Sequence, residues 1–322
     1  MAAAFRRTGG ASVKHVLKQW GPELAEADLA PIVDGVWRCR LGKKTYILKR
    51  RTNRTRVWDE NDLLKWLKEK GQPISLLLCT AEGVPWAEDQ GVFYVLYPYL
   101  DGTPGNELPS FSEPYASEMG RGLASLHQAL ASYQCSGVFP GFDLFHDVAS
   151  YAWKVVRGYS SIKFHHRLYH LEQAISEQLV NPYEALPRQL IHRDLHPGNL
   201  VFVDGHLGGI LDFDRIRIGI RLFDLCYLAT SVLSSGFNDP KQREDWVGFV
   251  QALTQGYSAV QPLEKTEGHA FLYIIYLIQL LFTAYHLDAG NSDLADLNLG
   301  MLFWIYDQHD YLQPLVEKSG GW

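Results

Sequence analysis

Residues 190–214 read LIHRDLHPGNLVFVDGHLGGILDFD. Two apolar runs, 200–203 and 206–211, flank Asp204-Gly205, a pair of turn residues that closes a tight hairpin. Ahead of the hairpin a loop carries His192, Arg193 and Asp194, turns at Pro197-Gly198, and enters the first strand at Asn199. Behind it stand Asp212 and Asp214. A hairpin returns the chain on itself, so this spacing predicts Asp212 beside Asn199, with oxygen-bearing side chains converging as a hard cation requires. Turn and capping hydrogen bonds alone would also use such residues. That simpler use leaves a second aspartate pair at the end of an apolar strand unexplained.

Outward from this stretch, residues 32–40 and 45–49 alternate β-branched and aromatic side chains about a Leu41-Gly42-Lys43-Lys44 turn, which predicts a hairpin. At 57–70 the pattern becomes helical, with Leu63, Leu64, Trp66 and Leu67 on one side and Gly71 and Pro73 ending the run. A further strand pair is expected at 74–79 and 92–97. Beyond the breaks at Asp101-Gly102 and Pro104-Gly105 helical patterns prevail, at 113–133, within 142–180, and at 242–257, 270–287 and 294–309. The expectation is an α+β chain: residues 1–97 a small antiparallel sheet with one helix, and residues 98–322 a larger, mainly helical part into which the 189–212 island is set.

Of the 322 residues 47% are hydrophobic and 13% aromatic, enough to bury large cores, which excludes intrinsic disorder. Thirty Lys and Arg against 36 Asp and Glu leave a net charge of −6, so no overall basic field favours nucleic acid or an anionic membrane. Cys39, Cys79, Cys135 and Cys226 are widely spaced and form neither a CxxC pair nor a disulfide framework, which fits a reducing cytoplasm. The N-terminal MAAAFRRTGG is not followed by the apolar core of a secretory signal. The stretch 270–287 reaches the lower length limit of a membrane span, yet Tyr273, Gln279, Thr283 and His286 along it suit a helix buried in a large domain. His192, His196 and His206, with the His165-His166-His170 group, would suggest zinc, but no thiolate or HExxH partner accompanies them.

HRDLHPGN matches the HRDxxxxN pattern of kinase catalytic loops. Phosphoryl transfer needs a carboxylate beside the acceptor hydroxyl, a metal-binding side chain nearby, and a second carboxylate that holds magnesium against nucleotide phosphates. Asp194, Asn199 and Asp212 can supply these in order. On HRDLHPGN followed by ILDFD, the chain resembles the aminoglycoside phosphotransferase and choline kinase superfamily, in particular the bacterial branch with homoserine kinase-like and spore-coat kinase-like proteins. The resemblance covers the hairpin at 32–50 to about residue 228; residues 135–188 and 236–322 share only helical character. It implies a two-lobed protein-kinase-like fold, ATP and magnesium as cofactors, Asp194 as catalytic base, and Asn199 and Asp212 as metal ligands. Asp224, in FDLCYL, resembles the family's helix-starting aspartate, for which an N-cap role suffices.

The family also uses a strand lysine and a helix carboxylate to aim a cation at the inner phosphates. Lys49, at the end of Tyr46-Ile47-Leu48-Lys49, fits the lysine, although it also belongs to a basic run that includes Lys43, Lys44, Arg50, Arg51, Arg54 and Arg56. Glu60 shares a helical face with Leu63, Leu64 and Leu67, so its side chain is expected to point towards the sheet and pair with Lys49, while Asp59, aligned with Leu63 and Trp66, remains a competitor. Residues 93–99, with Tyr97 and Tyr99, fill the place of the interlobe segment that meets the adenine. Asp34-Gly35-Val36-Trp37 stands where protein kinases carry a glycine-rich loop, and DFD replaces DFG with no APE after it. A peptide substrate is therefore disfavoured.

The implied activity moves the γ-phosphoryl of ATP to a hydroxyl of a small molecule, such as a sugar, an amino alcohol or a hydroxy amino acid. The alternatives are an aminoglycoside O-phosphotransferase and a kinase-like binding protein without catalysis. Resemblance places the acceptor pocket in 142–180. Residues 151–170 hold Lys154, Arg157, Lys163 and Arg167 without an acid, and Tyr151, Trp153, Tyr159, Phe164 and Tyr169 lie among them. If this stretch lines the site, a neutral or anionic acceptor is favoured over a polycation; the other use is a solvated helix face.

Overall fold

The computed structural model describes residues 13–134, 139–159 and 162–320, and the side chains of 162, 163, 319 and 320 are not described. Cys135, the side chain of Lys163 and the MAAAFRRTGG segment thus lie outside the described residues. The chain divides into two compact units, Met1–Gly102 with Gly209–Asp214, and Thr103–Gly208 with Arg215–Trp322.

The first unit is built on strands β1 (Asp28–Val33), β2 (Val36–Leu41), β3 (Lys44–Arg51), β4 (Ala87–Asp89) and β5 (Val92–Pro98), with helix α1 (Arg54–Glu69) between β3 and β4. The antiparallel order β1-β2-β3-β5-β4 makes β3 the central strand. Side chains alternate across a strand. Leu48, with Leu96 opposite it on β5, is therefore on one face, buried with Val16, Leu17, Leu24 and Trp37, so two 3-10 turns at Lys14–Trp20 and Pro22–Glu26 cover that face. Ile47, Lys49, Arg51 and Tyr97 share the other face. Tyr97 donates to Glu60 of α1 there, which places the helix on that side.

Asn53 caps α1 by accepting from the amides of Thr55 and Arg56, and Val57, Glu60, Leu63, Leu64 and Leu67 make its buried face. Two expectations about strands change. The run 32–40 breaks into β1 and β2 because Asp34-Gly35 forms a turn with Gly35 at φ +76°. No ladder forms at 74–79: Ile74 makes one parallel bridge to Ile210, the Leu78 amide bonds Leu96, and the Leu78 carbonyl is taken by the Trp20 indole at 2.8 Å.

The second unit holds β6 (Thr103–Pro104), α2 (Glu113–Ala131), α3 (Leu144–Asp147), α4 (Trp153–Tyr159), α5 (Ile162–Gln178), α6 (Val180–Ala185), β7 (Arg188–Ile191), β8 (Leu200–Val203), β9 (His206–Ile210), β10 (Arg217–Ile220), α7 (Leu222–Gly236), α8 (Pro240–Ser258), α9 (Lys265–Asp288), α10 (Ser292–Asp307) and α11 (His309–Gly320). The residues of β9 from Gly209 onward belong to the first unit. β8 and β9 form the expected hairpin, β6 pairs with β8, and β7 pairs with β10. Helix α9 is long and apolar enough to cross a membrane, but 78% of its most apolar window is buried within the protein, as the polar residues along it suggested.

Helices α2 and α8 touch through their backbones. A Cβ on Gly120 would stand 2.1 Å from the Leu253 carbonyl oxygen, and one on Gly256 would stand 2.1 Å from that of Ser117. Neither backbone can yield without shifting a helix, so Gly256→Ala is expected to destabilise the protein by roughly 1–3 kcal/mol or more, as overpacking of a filled interior does. Urea unfolding measures this directly, and an unchanged midpoint would show that the two helices separate freely.

Candidate active site

In the second unit, β7 delivers the chain into the His192-Arg193-Asp194 loop. Arg193 adopts φ +66°, a left-handed conformation that a non-glycine residue holds only when its surroundings impose it. The imposing group is Asp224. Its carboxylate, wholly buried, accepts the His192 amide at 2.7 Å and the Arg193 amide at 2.8 Å. Nε2 of buried His127 lies 3.1 Å from the same carboxylate, and its Nδ1 lies 2.8 Å from the Tyr257 hydroxyl. A carboxylate only accepts, so Nε2 carries a proton. Burial pushes the Tyr257 phenol well up, which keeps it protonated. Asp224 therefore does not cap α7, whose N-cap is Arg221; it reaches across to the loop, which no local sequence signal reveals.

Asp194 is held on three sides. Its Oδ1 accepts from the Tyr227 hydroxyl at 3.3 Å, its amide faces His192 Nδ1 at 3.3 Å, and its carbonyl accepts from Asn199 Nδ2 at 2.8 Å. The Asn199 bond turns its own Oδ1 away from that carbonyl. Tyr227 is pushed well above an ordinary phenol, first by burial and then by Asp194, so it remains a donor. His196 accepts the Gly198 amide at 3.1 Å, a capping role, and exposed His206 faces Glu118 at 3.6 Å.

In the first unit, Asp212 adopts φ +68°, and its Oδ1 lies 2.8 Å from Lys49 Nζ. Glu60 meets Arg51, which also binds Asp214 at 2.5 Å, while Tyr97 donates to Glu60 Oε1 at 2.5 Å. The expected Lys49–Glu60 pair is replaced: strand alternation puts Lys49 and Arg51, two positions apart, on the same α1 face, and Arg51 takes the helix carboxylate while Lys49 takes Asp212. Asp59 is outside this cluster, beside Asp62 and Arg56, with its carboxyl pushed up by partial burial. The Tyr99 amide bonds the Thr45 carbonyl, and Arg38 lies over the Tyr99 ring at 5.7 Å.

The segment expected to form the acceptor pocket has other uses. Arg157 pairs with Glu172 and Arg167 with Asp307, and Lys154 is exposed. Cavities of about 230 and 360 Å³ in this region contain neither Asp194 nor Tyr227 among their lining residues. Two others in the second unit, of about 410 and 250 Å³, are both bordered by Tyr227.

A five-stranded sheet with one helix, followed by a helical unit carrying an HRD loop, defines the protein-kinase-like class of fold. Within that class the chain belongs to the phosphotransferase enzyme family, APH, which its residues 33–266 match. It is 23% identical over 216 residues to a homoserine kinase of Phenylobacterium zucineum, covering 65% of this chain and 61% of that protein. To a homoserine kinase of Gluconobacter oxydans it is 37% identical over 85 residues, covering 26% of this chain and 25% of the other. The chain thus spans about a quarter to three-fifths of the length of these two curated relatives. An aminoglycoside phosphotransferase of Alicyclobacillus acidocaldarius superposes with a TM-score of 0.73 at 16% identity, covering 95% of this chain and 96% of that one. A microcompartment-associated aminopropanol kinase does so with a TM-score of 0.72 at 17% identity, covering 94% and 98%. Identities this low show a shared fold alone.

Removing the Asp224 carboxylate leaves two loop amides and His127 without their acceptor in a dry interior. Asp224→Ala is therefore expected to cost roughly 2–5 kcal/mol of stability. A thermal midpoint unchanged from the parent protein would show that the loop is held by other means.

Proposed function

We propose that this protein transfers the γ-phosphoryl of ATP to a hydroxyl group of a small molecule. The observation that carries the reading is the restraint on Asp194, whose loop is tied to a buried carboxylate and whose own oxygen is fixed by Tyr227. Such preorganisation suits a general base that must receive a proton from one direction. In this reading Asp194 accepts the acceptor's hydroxyl proton as its oxygen forms a bond to the γ-phosphorus, and the bond from that phosphorus to the bridging oxygen of ADP breaks.

Residues 1–97 would bind the nucleotide, and residues 98–322 would carry catalysis and the acceptor. Lys49 would face the inner phosphates, with Tyr97 and Tyr99 beside the base. Glu60 would act through Arg51, which it anchors, and so steady the strand that carries Lys49. The residues also fit magnesium. Such an ion usually takes one or two protein ligands and keeps phosphate and water for the rest; Asp212 supplies a carboxylate already matched to a cation at 2.8 Å, and Asn199 a carboxamide oxygen. When bound, magnesium would neutralise phosphate charge during transfer. A cytoplasmic setting fits Cys39, Cys79 and Cys226, which are free, with burial pushing the Cys39 thiol up to about 12.

An ADP-release assay across sugars, amino alcohols, hydroxy amino acids and aminoglycosides tests the reading, and preferred turnover of an aminoglycoside would assign the enzyme to antibiotic modification instead. With any acceptor found, Asp194→Asn is expected to lower kcat by about a hundredfold or more while ATP still binds. Near-normal turnover by that variant would remove Asp194 as the base. Asp212→Ala is expected to abolish the tightening of ATP binding by magnesium in calorimetry, and retention of that tightening would place the metal elsewhere.

A further inference from the structure

The cavity of about 250 Å³ in the second unit is walled by α7, α9 and α10, and its chemistry is specific. Among the described residues that line it there is no Asp, Glu, Lys or Arg. Its polar groups are uncharged. Gln279 is 2% exposed, and its Oε1 has no hydrogen-bond partner among the described residues. Asn298 spends its Nδ2 on the Leu294 carbonyl, which leaves its Oδ1 as an acceptor. Burial lowers the pKa of His286, which keeps that ring neutral near pH 7. Phe282 and Met301 supply apolar wall, and Phe282 stacks on Tyr227 with ring centroids 5.2 Å apart.

A buried carboxamide oxygen without a partner is costly unless something satisfies it, and rotation of the group can bring it toward a ligand. A charged group seated against this wall would give up part of its hydration with no counter-charge in return. At about 250 Å³ the cavity lies below the roughly 300–1,000 Å³ common for small-ligand sites, which favours a compact acceptor body. The wall next to the proposed base is Tyr227, whose hydroxyl touches Asp194 Oδ1.

We infer that this cavity holds the body of the acceptor, and that the acceptor is a compact, uncharged alcohol and not an amino acid, an amine or an aminoglycoside. The inference rests on the kinase reading above and narrows it. Gln279 becomes the specificity-determining residue, its carboxamide exchanging hydrogen bonds with a polar group of the acceptor, while Phe282 and Met301 cover the carbon frame. A carboxylate finds no cation in this wall and an ammonium finds no carboxylate, so either would be seated without a counter-charge, and an uncharged acceptor is preferred.

The test uses the full chain with ATP and magnesium. Its uncharged probes are myo-inositol, glucose, 1,4-butanediol and benzyl alcohol; its charged probes are homoserine, 1-amino-2-propanol and kanamycin. Binding is followed by saturation-transfer NMR in the presence of a non-hydrolysable ATP analogue, and turnover by ADP release. At least one uncharged probe is expected to bind and to be phosphorylated with a kcat/KM at least tenfold above every charged one. Gln279→Leu is expected to raise its KM at least tenfold with a much smaller change in kcat, and Met301→Trp, which fills the cavity, to abolish its binding. Should either variant fail to fold, Asn298→Leu replaces it in the same measurement. A charged probe turned over best, no uncharged probe bound, or a KM indifferent to these substitutions would each overturn the inference and leave the kinase reading intact. Failure of the parent protein to bind ATP with magnesium would instead overturn the kinase reading.

Discussion

The carboxylate of Asp224 sits in the dry interior of the helical unit and is satisfied there by two consecutive peptide amides, those of His192 and Arg193. A buried charge must be compensated, and backbone amides compensate it only if the chain presents both at once. That demand fixes the loop, including the left-handed Arg193, and so decides where the next residue, Asp194, points. His127 and Tyr257 extend the constraint into α2 and α8, so that the loop is keyed to helices far from it in sequence. Local strain at Arg193 persists because several buried bonds together over-determine it.

The sheet unit solves a related problem with two cations. Lys49 and Arg51 occupy the same face of the central strand, and they take different acids, one for Lys49 and two for Arg51. Arg51 binds Glu60 and Asp214 with its planar fork, a geometry suited to two carboxylates at once, while Lys49 presents a single compact charge to Asp212. The helix and the segment after β9 are thereby tied to one face of the central strand.

Much of this was legible in advance. The hairpin at 200–211 and the buried face of α1 follow from periodicities that a single sequence displays, and Glu60 came out on that face because it shares its spacing with Leu63, Leu64 and Leu67. What stayed hidden is mostly long-range pairing. Alternation sends Arg50, whose partner is Asp34, to the other face, but nothing local decides between Lys49 and Arg51 as the partner of Glu60. Asp224 looks like any acid in a first helical turn; its partners His192 and His127 become visible only when β7 and α2 are brought together in space. The strand expected at 74–79 gives way because the Trp20 indole, at the end of a 3-10 turn too short to show in the sequence pattern, claims the Leu78 carbonyl.

The crossing of α2 and α8 has a mechanical consequence. At Gly120 and Gly256 the two helices are separated by backbone atoms in direct contact, and Tyr257, next in the chain to Gly256, is the residue that reaches His127. Packed side chains can change rotamer and absorb a small displacement, whereas touching backbones sit near the incompressible limit of a protein interior. The spacing between Tyr257 and His127 is thus set by a hard stop. Pressure or moderate heating would act first on softer, side-chain-mediated contacts, and the loop bearing Asp194 would keep its reference frame after those contacts had begun to give.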